Sequence, residues 1–240
     1  VKGKNKRGKM IMPCGSGKSL TAYWIAEKLK PKRIVIAVPS LALIRQTLEV
    51  WARESLAKKR DIRWICVCSD DSVRDIAKDD IAILTQDLGV KVEDKPDKIS
   101  AWLRKRSTAT SVVFVTYQSG HTLAKASRKA KVKFDLGIFD EAHKTVGAAD
   151  KLFSHLLFDK NIKVTKRLFM TATERRYQGA SDDILSMDDP DAYGETFELL
   201  SFKEALECKP PILSDYQIVT MVVTTDEVKK LIRSNVLVKP

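Results

Sequence analysis

A short glycine-containing segment, Pro13-Cys14-Gly15-Ser16-Gly17-Lys18-Ser19, constrains the fold of this chain more than any other feature. An apolar strand is predicted before it over Lys9–Pro13, and a helix after it over Lys18–Lys30. Glycine lets the backbone turn tightly so that successive N–H groups face one anion, and the following helix presents the positive end of its dipole. The segment therefore predicts a phosphate-binding loop.

The residue types in this loop predict binding of ATP with Mg²⁺. Lys18 supplies a full positive charge for the β- and γ-phosphates, and the Ser19 hydroxyl is an oxygen ligand suited to Mg²⁺. The sequence departs from the longer pattern GxxxxGK[ST] at Met12, where that pattern has glycine. We assign nucleotide binding to six consecutive residues: Gly15, Ser16, Gly17, Lys18, Ser19 and Leu20.

Two acidic residues after a later apolar strand complete the predicted nucleotide site. The segment Leu136–Phe139 runs directly into Asp140 and Glu141. A buried strand can hold the Asp140 carboxylate beside the phosphate loop as a second Mg²⁺ ligand. Glu141 can orient or deprotonate the attacking water, so we assign catalysis to Glu141 and Lys18. His143 either links Glu141 to a further motif or caps the next helix.

Apolar strands alternate with helices along most of the chain, which predicts an α/β fold with a doubly wound, mostly parallel sheet and helices on both faces. The predicted strands are Arg33–Val38, Ile62–Cys68, Ser111–Tyr117, Leu136–Phe139 and Arg167–Thr171, and the predicted helices are Ser40–Lys59, Ser119–Ala130 and Asp150–Phe158. The acidic stretch Tyr177–Phe202 is predicted to be a loop-rich excursion, and later elements are predicted at Phe202–Glu207 (helix), Tyr216–Val223 (strand) and Asp226–Arg233 (helix).

Charge and composition narrow the class of protein. The chain has 43 Lys and Arg against 31 Asp and Glu, a formal charge of +12, and the basic residues cluster at Lys2–Lys9, Lys58–Arg63, Arg104–Arg106 and Lys125–Lys133. Segregated charge favours a face that binds a polyanion. No apolar run approaches a membrane span. Four cysteines without a CxxC pair argue against a disulfide scaffold or a zinc site, so we expect a reduced, cytoplasmic protein.

Five motifs, in one order, resemble those of superfamily 2 helicases and translocases. The phosphate loop resembles motif I, the Asp-Glu-Ala-His sequence at 140–143 resembles motif II, and Thr171-Ala172-Thr173 resembles motif III. Val38-Pro39-Ser40-Leu41 with Arg45-Gln46-Thr47 resembles motif Ia, and Thr116-Tyr117-Gln118-Ser119 resembles the motif that precedes motif II. The resemblance implies a RecA-like P-loop domain in which ATP hydrolysis is coupled to nucleic-acid binding.

The resemblance also implies roles for individual residues. It assigns coupling between nucleotide and nucleic acid to His143, Thr171 and Thr173, and contact with the nucleic-acid backbone to Pro39, Ser40, Arg45, Thr116, Tyr117 and Gln118. A solvated helix face is the alternative explanation for Arg45 and Gln46. Many relatives have proline directly after motif III, whereas this chain has Glu174.

Within the superfamily, the motif combination is most similar to the motor subunits of restriction enzymes and related predicted helicases, which implies double-stranded DNA as the partner. An RNA helicase lobe is an alternative. A P-loop kinase for a small molecule would leave the motifs at 116–119 and 171–173 without a role. A nucleic-acid-binding module that has lost catalysis disagrees with the presence of Lys18, Ser19, Asp140 and Glu141.

The domain organisation follows from the same resemblance. We expect residues 1–224 to form the first RecA-like lobe and residues 225–240 to form an exit helix or linker toward a second lobe. No arginine-rich Q-x-x-G-R-x-x-R motif, which a second lobe would supply, occurs in the sequence. We therefore expect this chain to be only weakly active by itself.

Overall fold

The computed structural model of the chain describes residues 5–68, 91–148, 152–177 and 184–217. Its centre is a seven-stranded sheet in which every pairing is parallel and the strand order is β3-β4-β2-β5-β7-β1-β9. The strands are β1 Arg7–Ile11, β2 Arg33–Val38, β3 Ile62–Val67, β4 Thr110–Thr116, β5 Phe134–Phe139, β7 Val164–Thr171 and β9 Glu195–Leu199; β6 Gly147–Ala148 and β8 Ile184–Leu185 form a separate antiparallel pair.

Helices connect the strands, and local signals mark several of their starts. Ser40 caps α2 by accepting the N–H of Leu43, and Ser201 and Glu204 form a reciprocal capping box on α5. The α-helices are α1 Lys18–Leu29, α2 Leu41–Ala57, α3 Pro96–Arg104, α4 Gly120–Ala130 and α5 Phe202–Glu207, and two 3₁₀ helices span Ala142–Thr145 and Leu152–Leu157. None of the helices in the described ranges is long and apolar enough to cross a membrane.

The sheet is buried on both faces, so its strands are apolar at successive positions rather than at alternate ones. On β2, Val35 and Ala37 belong to one core cluster, which includes side chains of α3 and α4. Ile34 and Ile36 point the other way, into a cluster that holds Trp51 of α2 with side chains of α1. Two cores on opposite faces of one parallel sheet confirm the predicted doubly wound α/β architecture.

The prediction of a loop-rich excursion over Tyr177–Phe202 was wrong in part. Glu195–Leu199 forms β9, which pairs with β1 at the edge of the main sheet. All five of its residues are exposed, so the segment lacks the continuous apolar pattern of the central strands. It is held by backbone pairing with β1 and by the Phe197 ring, which lies over Gly8. Tyr193 just before it is fully buried, with its hydroxyl 2.7 Å from Thr145 Oγ1.

Two further elements differ from the sequence-based expectation. The helix predicted over Asp150–Phe158 is, within the described residues, a 3₁₀ helix of six residues; the cost of nucleation leaves so short a segment little gain from α-helical hydrogen bonds. Helix α3 was not predicted, although Pro96 at its first turn and Ile99 four residues before Leu103 signal it. The strand predicted over Tyr216–Val223 lies largely, and the helix over Asp226–Arg233 entirely, outside the described residues.

Candidate active site

The phosphate loop follows the carboxyl end of β1 and takes the shape that its glycines allow. Gly15 and Gly17 have φ of 79° and 89°, in the left-handed region that residues with a Cβ rarely adopt. Helix α1 begins at Lys18 directly after this turn. The Ser16 hydroxyl donates to the Pro13 carbonyl at 2.7 Å, so this side chain braces the loop itself.

A cleft of about 470 Å³ opens above the loop. Lys18 Nζ lies at its floor, 3.3 Å from the Pro13 carbonyl and 3.4 Å from the Met12 carbonyl. Five of the six residues assigned to nucleotide binding line the cleft, and Ser16 does not. The loop side of the lining consists of Cys14, Gly15, Gly17, Lys18, Ser19 and Leu20.

The opposite wall of the cleft comes from α2 and was missed by the sequence analysis. Leu43, Gln46, Val50 and Arg53 line this wall. Their spacing of three, four and three residues puts them on one helix face, which is the signal that could have identified them. Gln46 therefore faces the cleft, and Arg53 adds a second cationic side chain to it.

The two acidic residues enter the same cleft from the carboxyl end of β5. Asp140 is 4% exposed, and its Oδ1 accepts the N–H of Glu141 at 2.9 Å. Burial and the neighbouring Glu141 carboxylate raise the pKa of Asp140 to about 6, while that N–H and the charge of Lys18 act to lower it. The hydroxyl of Ser19 and the carboxylate of Asp140 are hard oxygen donors in one cleft, a set that fits Mg²⁺.

His143 connects Glu141 with the loop after β7. Its Nδ1 lies 3.0 Å from Thr171 Oγ1 and 3.3 Å from Glu141 Oε2. The Thr171 hydroxyl donates to the Thr173 carbonyl at 2.8 Å, so the ring nitrogen must be the donor toward Thr171. Burial lowers the pKa of His143, which favours the neutral ring. Of the two alternatives for His143, the structure forms the link and not a helix cap.

Two of the six candidates for nucleic-acid contact, Thr116 and Tyr117, were predicted wrongly. Both residues are fully buried. The Tyr117 ring stacks on Phe153, and its hydroxyl, which needs a partner inside the core, donates to the Asp140 carbonyl at 2.7 Å. Neither side chain is available to a nucleic acid; Tyr117 instead braces the strand end that carries Asp140.

The other candidates for nucleic-acid contact surround the carboxyl ends of β2 and β4. Ser40 and Gln118 are partly exposed, and Arg45 is exposed and paired with Glu49 at 3.0 Å. Pro39 is buried, and its carbonyl accepts a hydrogen bond from Gln118 Nε2 at 3.4 Å. Three of the six predicted contacts therefore have accessible side chains at the carboxyl edge of the sheet.

Glu174, the residue that replaces proline after motif III, has a defined contact. It forms a largely buried ion pair with Lys9 of β1, and its second oxygen accepts from Arg176 at 2.7 Å. Burial acts to raise the pKa of Glu174, but the hydrogen bonds from Lys9 and Arg176 outweigh it and the pKa is lowered. The pair ties the loop after β7 to the strand that leads into the phosphate loop.

Comparison with known proteins places the chain in a family. The family model of the Type III restriction enzyme, res subunit, matches residues 1–176. The chain belongs to this family. As a res-subunit family member it is similar in structure to the Type ISP restriction-modification enzyme LlaBIII bound to DNA, with 31% identity, a TM-score of 0.68 and coverage of 89% of this chain and 15% of that one.

Two further relatives agree with this assignment. A nuclease-deletion mutant of the Type ISP enzyme LlaGI, in complex with a DNA substrate mimic, matches at 30% identity and a TM-score of 0.65 over 84% of this chain and 18% of that chain. The probable helicase A859L of African swine fever virus (Badajoz 1971 Vero-adapted strain) is 28% identical over 202 residues, which are 84% of this chain and 20% of A859L. This res-subunit family chain thus spans about a fifth of the length of A859L. The family match and the two restriction-enzyme structures together confirm the prediction of a RecA-like first lobe of superfamily 2.

Proposed function

We propose that the chain is the ATP-binding lobe of an ATP-dependent helicase or translocase that couples hydrolysis of Mg-ATP to movement on double-stranded DNA. The observation that carries the proposal is the set of contacts that leave the acidic pair in two directions. In one direction, His143 Nδ1 lies 3.3 Å from Glu141 Oε2 and 3.0 Å from Thr171 Oγ1. In the other, the Tyr117 hydroxyl donates a hydrogen bond to the Asp140 carbonyl. A kinase for small molecules needs neither connection.

The residues of the cleft divide the chemistry between them. Lys18 binds the β- and γ-phosphates, and Ser19 and Asp140 hold Mg²⁺, which when bound neutralises charge on the phosphate oxygens. Glu141 orients the attacking water and accepts its proton. His143, whose Nδ1 contacts both Glu141 and Thr171, makes the position of the Glu141 carboxylate depend on the end of β7.

Double-stranded DNA as the track rests on three observations. The chain carries a charge of +12. Ser40, Arg45 and Gln118 have accessible side chains and follow the carboxyl ends of β2 and β4, at the edge of the sheet that also carries the cleft. Both restriction-enzyme structures to which the chain is similar hold DNA or a DNA mimic. Backbone contacts of this kind position a duplex without reading its sequence.

A second RecA-like lobe is the proposed protein partner. In the superfamily an arginine from that lobe meets the charge that develops on the γ-phosphate, and such arginines contribute roughly 10³–10⁵ in rate. Without one, the 240-residue chain should bind Mg-ATP but release phosphate slowly. Glu141→Gln should change ATP affinity little, because Glu141 acts on the water and not on the nucleotide.

Coupling is tested by measuring duplex affinity in two nucleotide states. The chain is titrated with a fluorescent 20-base-pair duplex, once with Mg²⁺ and a non-hydrolysable ATP analogue and once with Mg-ADP. We expect affinities that differ by about fivefold or more, the usual lower range of coupling between sites. Thr171→Val should reduce this ratio without changing ATP affinity, and the exposed Thr196→Val on β9 should leave it unchanged.

The alternatives predict different results. Equal duplex affinity in both nucleotide states, together with phosphate transfer to a small acceptor, would support a kinase. Duplex binding with no affinity for Mg-ATP would support a module without catalysis. Tighter and nucleotide-dependent binding to duplex RNA of the same sequence would support an RNA helicase lobe.

A further inference from the structure

The amino edge of the sheet, opposite the phosphate loop, collects basic residues from five connections. The loops that enter β2, β3, β4, β5 and β7 all lie at this edge, because parallel strands start on the same side. We call this set the amino-edge rim: Lys30, Lys32, Arg33, Lys59, Arg60, Arg63, Lys105, Arg106, Lys131, Lys133, Lys160 and Lys163. Three of the basic sequence clusters, those at 58–63, 104–106 and 125–133, meet here.

Two concavities lie in the rim. The larger, of about 910 Å³, is lined by seven rim residues and one acidic residue, Glu27. The smaller, of about 360 Å³, is lined by Lys131, Lys133, Lys160 and Lys163, with Asp159. The rim is therefore concave as well as cationic, a shape in which field lines concentrate.

The acidic groups nearest the rim are mostly engaged elsewhere. Glu27 pairs with Lys58 at 3.0 Å, and Asp159 pairs with Arg167 at 2.7 Å. The Asp135 carboxylate accepts the backbone N–H groups of Lys32 and Arg33. Asp61 is exposed before β3.

None of the twelve rim cations forms an ion pair with a carboxylate of the described residues. The rim thus presents an excess of positive charge to solvent, with twelve cations against the four nearby carboxylates of Glu27, Asp61, Asp135 and Asp159.

Arg63 is held in a fixed position at the centre of the larger concavity. Its Nε donates to Ser111 Oγ at 2.8 Å, one terminal nitrogen donates to the Trp102 carbonyl at 3.0 Å, and its guanidinium lies 4.1 Å from the centre of the Trp102 ring. Burial and the neighbouring Arg33 lower the pKa of Arg63. A guanidinium that is already held in one orientation loses less side-chain entropy when it binds an anion.

Three lysines of the rim occupy backbone positions that favour glycine. Lys30, Lys59 and Lys131 have φ of 50°, 50° and 53° at the ends of α1, α2 and α4. The helix dipole favours cations in a last turn, but its effect falls off within that turn. It therefore does not account for Lys133 or Lys163, which lie beyond the helices.

We infer that the amino-edge rim is a second binding surface for the phosphodiester backbone of duplex DNA. Five adjacent strands at a spacing of about 4.8 Å extend over roughly 19 Å. Duplex DNA carries one charge per about 1.7 Å of axis, so a segment of this length presents on the order of ten phosphates. An extended polyanion matches such a row of cations better than a single phosphate group does.

The inference goes beyond the proposed function, because the rim shares no residue with the ATP cleft. Strands of about six residues separate the two edges by roughly 20 Å. DNA at the rim is thus a separate contact from DNA at Ser40 and Arg45. Loss of rim binding should lower duplex affinity equally in both nucleotide states and leave their ratio intact.

The test compares two triple variants with the same loss of charge. The rim variant is Lys32→Gln/Lys105→Gln/Arg106→Gln, and the control is Lys95→Gln/Lys98→Gln/Lys203→Gln; all six residues are exposed. Binding of the labelled duplex is measured from low to high salt. We expect the rim variant to lose at least tenfold in affinity at low salt, and its salt slope to fall by up to about 2.7, since each lost contact removes about 0.9.

A second variant removes three rim charges at positions where the replacement residue relieves backbone strain. Lys30→Gly/Lys59→Gly/Lys131→Gly places glycine at the three left-handed positions, so its melting temperature should stay the same or rise while duplex affinity falls. Rim and control variants that bind the duplex equally would overturn the inference. Displacement of the duplex by poly-glutamate at equal charge concentration would also overturn it, in favour of an acidic protein partner.

Discussion

The carboxyl edge and the amino edge of this sheet use polar residues in contrasting ways. At the carboxyl edge, Glu141, His143, Thr171 and Tyr117 are buried or half-buried. His143 Nδ1 contacts both Glu141 and Thr171, and the Tyr117 hydroxyl donates to the Asp140 carbonyl. At the amino edge, the cations of the rim are mostly exposed and lack carboxylate partners among the described residues. The polar groups of the carboxyl edge therefore depend on precise positions. The cations of the amino edge act through their summed charge.

This difference predicts which edge tolerates substitution. A buried hydrogen-bonded group cannot be removed without leaving its partner unsatisfied. An exposed cation contributes to a summed field, so a single loss has a small effect. Single substitutions should therefore act strongly at the carboxyl edge and weakly at the rim.

The largest effect on stability is expected at the Lys9–Glu174 pair. Glu174→Gln leaves the ammonium of Lys9 buried without its counter-charge, which should cost about 3 kcal/mol in the free energy of unfolding. Urea denaturation measures the change. The double variant Lys9→Met/Glu174→Leu should recover most of the loss, and duplex affinity at the rim should not change. A Glu174→Gln protein as stable as the wild type would show that Arg176 or solvent replaces the pair.

A loss of nucleotide affinity comes next. Lys18→Ala removes the main charge on the β- and γ-phosphates and should weaken Mg-ATP binding by about 1.5–3 kcal/mol. Isothermal calorimetry on the folded variant measures it, with the exposed Lys203→Ala as the matched control. Unchanged ATP affinity in Lys18→Ala would remove the cleft as the nucleotide site, while the rim would be unaffected.

A smaller effect is expected at Tyr117. Tyr117→Phe deletes the hydrogen bond to the Asp140 carbonyl in a fully buried position and should cost about 1 kcal/mol of stability. Tyr216→Phe, at a residue that is 55% exposed, is the control and should be neutral. If both variants are equally stable in urea, the hydroxyl does not brace the strand end.

The smallest effect is a dependence of stability on pH near the start of α4. His155 stacks on His121 at 3.5 Å between ring centres, and burial together with the charges of His121, Arg128 and Lys160 lowers its pKa from 6.5 to about 4. The unfolded chain thus binds more protons than the folded one between these values, so stability falls as pH drops from 6.5 toward 4. His155→Gln should show a smaller decrease in melting temperature from pH 7 to pH 5, and an equal decrease in both proteins would contradict this.

Local sequence patterns were sufficient to predict the phosphate loop and the acidic pair. The phosphate loop and the acidic pair are local patterns, since one strand end and a few following residues define each of them. Six predicted strands and four predicted helices also lie within a few residues of where they were expected: β1, β2, β3, β4, β5, β7, α1, α2, α4 and α5. Gly15 and Gly17 are required by the loop geometry itself, which no tertiary contact has to impose.

Contacts between residues that are far apart in the sequence could not be predicted and are known from the folded structure alone. Strand β9 has no apolar pattern because it lies exposed at the sheet edge, and Lys9 and Glu174 are 165 residues apart. Tyr117 was expected to contact nucleic acid, but the core buries it. The cations of the rim are spread from residue 30 to residue 163 and come together because parallel strands all start at one edge. Such contacts depend on the path of the chain, which local composition does not encode.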